Sequence, residues 1–204
     1  MVTENRGASL AASQAMADQL YLSLRLRDFS AQNMLRHYEK LLRIFPFSRL
    51  TRQASTFKVL AVDYNEPPLV EIPYPPPVPT DSVLAVATDF ENPDTCYRLE
   101  SWWDLWQFQK DWELTPSRVA LCCFGPEFEH ESDDDLSVEF GIDAHFLPQP
   151  ELPDSVRMVQ SNIKSLLKLV HDLDDALPVE TRRLWSESGE NFSEKLQRAL
   201  TTVE

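Results

Sequence analysis

Leu20-Tyr21-Leu22-Ser23-Leu24-Arg25-Leu26 alternates leucine with a polar or aromatic residue. Side chains along a strand point to opposite faces in turn. A period of two therefore sets all four leucines on one face, toward a core. Such a strand belongs in an antiparallel sheet with one face covered, so the chain reads as α+β, with helices on one face of a mainly antiparallel sheet.

Working outward, Ser30 is placed as an N-cap. Met34, Leu35, Tyr38, Leu41, Leu42 and Phe45 then recur at helical spacing until Pro46. Residues 57–64 read as a strand, and residues 69–74 as a second one whose flanking prolines suit a sheet edge. Pro73-Tyr74-Pro75-Pro76-Pro77-Val78-Pro79 follows and favours a stiff, extended connector.

Leu60-Ala61-Val62-Asp63-Tyr64-Asn65-Glu66-Pro67 is echoed by Leu84-Ala85-Val86 and then Asp89-Phe90-Glu91-Asn92-Pro93. The echo predicts a strand over 82–87 and a second half that replays the first as strand-helix-strand-strand. In that half, Ser101-Trp102-Trp103-Asp104 has the form of a capping box and starts a predicted helix over 102–112, stopped by Pro116. Trp102, Leu105, Trp106, Gln109 and Trp112 share one face of it, with Trp103 and Phe108 on the flanks. The apolar arc is then roughly 220°, wider than one buried face needs, which marks Trp103 and Phe108 as candidate partner contacts. Strands follow over 118–124 and 136–146, joined by an acidic loop, with a short strand over 95–99 before the tryptophans.

Val156, Val159, Ile163, Leu166, Leu167, Val170, Leu173 and Leu177 form a stripe of roughly 120° on a long helix. Asp154 or Ser155 caps it and Pro178 ends it. Shorter helices are predicted over 181–185 and 192–200. The domain reading is a tail over 1–18, a sheet domain over 19–150 with halves 19–74 and 81–148, and C-terminal helices over 151–204.

The 204 residues carry a net charge of -14. That field repels nucleic acid and anionic lipid and attracts a basic protein. Four glycines against fifteen prolines leave little material for a phosphate-cradling loop. Cys96, Cys122 and Cys123 are odd in number and two are adjacent, so they read as free thiols in a reducing, cytoplasmic setting. Residues 1–15 lack the apolar core of a secretory signal.

Glu127, Glu129, His130, Glu131, Asp133, Asp134 and Asp135 are the densest polar cluster. They lack calcium-loop spacing and read as a solvated hairpin loop, with Glu129, Asp133 and Asp134 as candidate binding residues. Asp28, Asp63 and Asp89 each follow an apolar strand and precede an aromatic residue. Convergence at one sheet end would make them a divalent-metal site; otherwise they are turn formers. The four histidines show no paired ligand spacing, no G-x-S-x-G is present, and no cofactor is implied. Three readings follow: a non-enzymatic interaction module of inhibitor or immunity type for a basic protein, a metal-dependent enzyme using the clustered carboxylates, and a small-ligand module.

Overall fold

The computed structural model describes residues 18–201. The leucine alternation forms β1 (Gln19–Leu26), and Leu20, Leu22, Leu24 and Leu26 are all buried. The chain continues through α1 (Met34–Ile44), β2 (Ser55–Ala61), β3 (Val70–Tyr74), α2 (Thr80–Asp89), β4 (Thr95–Phe108), β5 (Trp112–Phe124) and β6 (Leu136–Ile142). A short 3-10 turn (Asp143–Phe146), α3 (Ser155–Ala176), β7 (Val179–Ser186) and α4 (Phe192–Thr201) complete it.

All seven strands join one antiparallel sheet in the order β3-β2-β4-β5-β6-β1-β7. Its register assigns every side chain to a face. One row reads Phe57, Leu99, Leu121, Val138, Leu22 and Leu184 from β2 to β7; the next reads Val59, Tyr97, Cys123, Leu136, Leu24 and Arg182. This is the covered face. Apart from Leu184, which packs against it, and the exposed Arg182, these residues share one buried cluster with Met34, Tyr38 and Leu41 of α1, Val83 of α2, Leu166 and Leu173 of α3, and Phe192 of α4. The opposite face has its own small cluster, Leu60, Cys96, Cys122, Phe124 and Phe128, which contains no helical residue. The fold is therefore α+β with a mainly antiparallel sheet.

Several local expectations are corrected. The tryptophan segment is not a helix: it forms β4 and the start of β5, a long hairpin in which Phe108 faces Trp112. Tyr97, Leu99, Ser101, Trp103 and Leu105 alternate inward. Ser101 interrupts that apolar alternation and is satisfied by Ser55 on β2, with their hydroxyls 2.9 Å apart. Asp104, expected in a capping box, instead accepts hydrogen bonds from the Ser48 hydroxyl and from the Arg49 N–H at 2.9 Å. Pro116 is tolerated inside β5 because β5 pairs with β6 only from Ala120 to Cys123.

The echo is not a structural repeat. Leu60 and Ala61 end a strand, whereas Leu84, Ala85 and Val86 lie within α2. The first half runs strand-helix-strand-strand, and the second begins with a helix and has three strands. Residues 181–185 form part of β7 rather than a helix, and their pairing with β1 overrides a short helical pattern. Ser30 precedes the start of α1 by four residues, and its N–H is accepted by Asn33 Oδ1 at 2.9 Å. The tail expected over 1–18 lies outside the described residues except for Asp18.

The long helix holds, with a shifted stripe. Ser155, Val159, Asn162, Leu166, Leu169 and Leu173 are the buried positions of α3, while Leu167 is 57% exposed. Asp154 makes no cap hydrogen bond, and the Ser155 hydroxyl accepts the Gln149 N–H at 2.8 Å. Asn162 replaces a missing strand: its Oδ1 accepts the Trp106 N–H at 2.9 Å, and its Nδ2 donates to the Trp106 and His145 carbonyls at 2.9 and 2.8 Å. Lys195 pins α4 through Asp143 at 2.5 Å and Asp18 at 2.9 Å.

The adjacent leucines of α3 give a direct check of the stripe. Leu166→Ala should cost about 2–5 kcal/mol, as for a fully buried leucine. Leu167→Ala should cost under about 1 kcal/mol. Urea unfolding of the two variants measures both, and equal losses would contradict the packing.

Candidate functional site

The face without helices carries the polar chemistry. Its central row reads Lys58, Arg98, Cys122, Ser137, Ser23 and Arg183, and the adjacent row Thr56, Glu100, Ala120, Glu139, Tyr21 and Trp185. Alternation alone brings these residues together, because each sits between two core-facing neighbours. Arg98 holds the centre. Its guanidinium grips Glu139 through two nitrogens at 2.5 and 2.7 Å, reaches Glu100 at 3.1 Å and donates to Cys122 Sγ at 3.3 Å. Lys58 closes the network on Glu100 at 3.2 Å. Burial pulls the Arg98 pKa down, but the bonds to Glu139 and the neighbouring charges raise it overall. For Glu100, burial raises the carboxyl pKa and is outweighed by the bonds from Arg98 and Lys58, so it stays ionised.

Cys96 and Cys122 are buried beneath this network, and Cys123 points to the opposite side. The hydrogen bond with Cys96 lowers the Cys122 thiol, whereas burial raises Cys96 and Cys123. All three are free thiols.

β1, β2 and β5 run in the same direction, so the segments that follow them leave from the same end of the sheet. Asp28 follows β1, Asp63 follows β2, and the acidic loop follows β5. The loop spans that end. Glu129 donates its N–H to Val62 at 2.7 Å, and Asp135 accepts the Leu26 N–H at 2.7 Å. Asp133 pairs with Arg25. Sequence order hides this acidic rim; the topology assembles it.

The three aspartates that would make a metal site only by converging stand at or just past the ends of separate elements. Between β1 and β2 stand β4, β5 and β6, so Asp28 and Asp63 are four strand steps apart, roughly 19 Å. Asp63 accepts the Asn65 N–H at 2.6 Å as a turn former, and Asp89 ends α2. Among the described residues, no three His, Cys, Asp or Glu side chains are grouped to hold a metal ion. Trp103 is core, 3% exposed, packed against Phe45, Phe140 and Phe146. Phe108 is half-buried against Trp112 at the hairpin tip, the end of the sheet opposite the acidic loop.

Two clefts share the Arg98, Glu100 and Glu139 network. The first, about 500 Å³, lies under the acidic rim. Tyr21, Tyr64, Phe124, His130 and Trp185 wall it, and Glu131 and Asp134 stand at its mouth. Tyr21 stacks on Trp185 with centroids 4.6 Å apart, and His130 stacks on Phe124 at 4.1 Å. Burial keeps His130 below the ordinary histidine range. The second cleft, about 440 Å³, lies at the other end of the face around Trp102 and Arg118. Neither cleft announces itself in the sequence. The available signal was the polar side of the alternation, Arg98-Glu100-Trp102 against Tyr97-Leu99-Trp103.

No protein-family model matches this chain, and neither a curated protein nor a solved structure is detectably similar to it. No helix among the described residues is long and apolar enough to cross a membrane.

Two measurements follow from the geometry. Arg98→Ala leaves the largely buried Glu139 without its cation, while Glu100 keeps Lys58, and should cost about 3 kcal/mol. The double variant Arg98→Met/Glu139→Met should recover most of that loss, because a paired apolar replacement leaves no orphaned charge. Calorimetric or denaturant unfolding compares the two.

The second measurement concerns pH. Burial depresses His37, His130 and His145, so the folded chain binds fewer protons than the unfolded one below about pH 6.5. Their contribution is full above that pH and is lost as pH falls through the window beneath it. The urea midpoint should therefore drop between about pH 7.5 and 5.5, with a shallower drop in His130→Phe, which keeps the ring against Phe124. An unchanged pH dependence in that variant would remove His130 from the account.

Proposed function

We propose that this protein is a non-enzymatic interaction module that receives a basic protein segment, as an inhibitor or immunity-type protein does. A cationic side chain of the partner enters the 500 Å³ cleft beneath the acidic rim. The observation that carries this reading is the composition of that cleft. Four carboxylates, Glu100, Glu131, Asp134 and Glu139, stand against two cations, Lys58 and Arg98, and the walls are aromatic. Carboxylates with aromatic faces are the chemistry that holds guanidinium and ammonium groups. Glu129, Asp133 and Asp134 on the rim add long-range attraction in a chain of net charge -14.

Tyr64 is 44% exposed while its ring edge meets Phe124 and Phe128, an aromatic surface held in position and open to a partner. The metal-dependent alternative has no comparable support: Asp28 and Asp63 follow strands four steps apart, roughly 19 Å, and among the described residues no three carboxylate, His or Cys side chains, those of the acidic loop included, are grouped to hold an ion.

The test uses the full chain as bait in its native host cells, beside Glu131→Gln/Asp134→Asn and Tyr64→Ala variants. The expected result is a basic protein retained by the wild type at low salt, lost from both variants, and weakened as screening shortens. A partner retained equally by all three, or one of acidic character, would overturn the reading.

A further inference from the structure

We propose that the second cleft is a carboxylate site, which binds a small organic acid with its carboxylate against the Arg118 guanidinium. The cleft holds about 440 Å³, within the range of small-molecule sites. It is separate from the cation cleft, and the inference does not rest on the interaction reading.

Arg118 is the first ground. Its guanidinium carbon lies 5.4 Å from the centre of the Trp102 ring, and that indole is fixed by its own N–H donated to the Ala54 carbonyl at 3.2 Å. Among the described residues, no carboxylate lies within 4.0 Å of the Arg118 nitrogens, although the chain has 33 acidic residues against 19 basic ones. Two carboxylates do line the same cleft, but Arg98 engages both Glu139 and Glu100. Arg118 thus presents an oriented fork of donors without an internal acceptor. A planar carboxylate matches that fork through two parallel hydrogen bonds.

The rest of the lining agrees. Gln19, Gln53 and Thr56 face the cleft, and among the described residues their side chains make no hydrogen bond of their own. They supply amide and hydroxyl donors beside the guanidinium. Gly141 keeps the wall low: a Cβ there would come within 3.2 Å of the Arg118 carbonyl oxygen, and its φ of +76° is strained for any side chain. Arg98 engages both Glu100 and Glu139, so Arg118 is the one cation lining the cleft that no carboxylate engages, which matches a ligand with a single carboxylate. Ala120 and the Trp102 ring give an apolar bed for the body of the acid.

The probe is benzoate, titrated into the full chain while the Trp102 indole N–H resonance is followed by NMR. Benzamide, phenyl phosphate and a blocked pentapeptide with a central glutamate are titrated in parallel. Benzoate should shift that resonance saturably below about 10 mM, and benzamide should not. Arg118→Gln should weaken benzoate at least about 10-fold. Arg183→Gln makes the same charge change at the far end of the face, over Trp185, and should leave benzoate binding within about twofold. Arg118 is exposed, and an unchanged melting temperature in Arg118→Gln confirms an intact fold. The proposal is overturned by no saturable shift with benzoate, by equal binding of benzamide, or by wild-type affinity in Arg118→Gln. Preference for phenyl phosphate would also overturn it, as would preference for the peptide, which would reassign the cleft to an acidic side chain of a polypeptide.

Discussion

The grip of Arg98 on Glu139 is the interaction on which the uncovered face depends. A seven-stranded sheet with helices on one side leaves the other side to satisfy itself, and here it does so through a guanidinium on β4. The two hydrogen bonds tie β4 to β6 across β5, so they act laterally, where the backbone ladder joins only neighbours. The pair is about four-fifths buried on each side. That makes it costly to break but gives it no large net stabilising role, since desolvation offsets much of the attraction. What it does supply is position. The same three side chains form the boundary between both clefts, so the polarity of each is set from one point.

Charge is distributed unevenly around that point. The ends of β1, β2 and β5 gather acidic residues from three distant parts of the chain into one rim, whereas Arg118 and Arg183 rest on tryptophans at the two flanks of the face. A chain with a strong overall negative charge thus retains local cationic positions. They persist because the indole faces and the fixed backbone hold them apart from the carboxylates.

The leucine alternation of β1, the α+β class and the existence of α1, α3 and α4 were legible because their apolar periods are long and unbroken. The tryptophan segment was not. Trp102, Leu105, Trp106 and Gln109 fit a helical period as well as Tyr97, Leu99, Trp103 and Leu105 fit a strand, and the inward Ser101 broke the second pattern where it mattered. Pairing with Ser55, 46 positions away in the chain, resolves it. The Leu-Ala-Val echo failed for a related reason: three apolar residues carry no period, and the flanking Val83 and Ala87 form the buried side of α2. Both clefts were illegible because each needs the strand order, which no local pattern encodes.

Asn162 has a consequence for how this molecule behaves among its own copies. Beyond the reach of β2, the outer edge of β4 carries backbone groups at Trp106 that a strand from another chain would pair with. The carboxamide already occupies both of them. An open, aromatic-rich edge is a nucleus for aggregation, and here one amide side chain from a helix closes it at the cost of a single polar residue in an apolar stripe. Loosening α3 would therefore free these two groups of Trp106 for pairing with a strand of another copy.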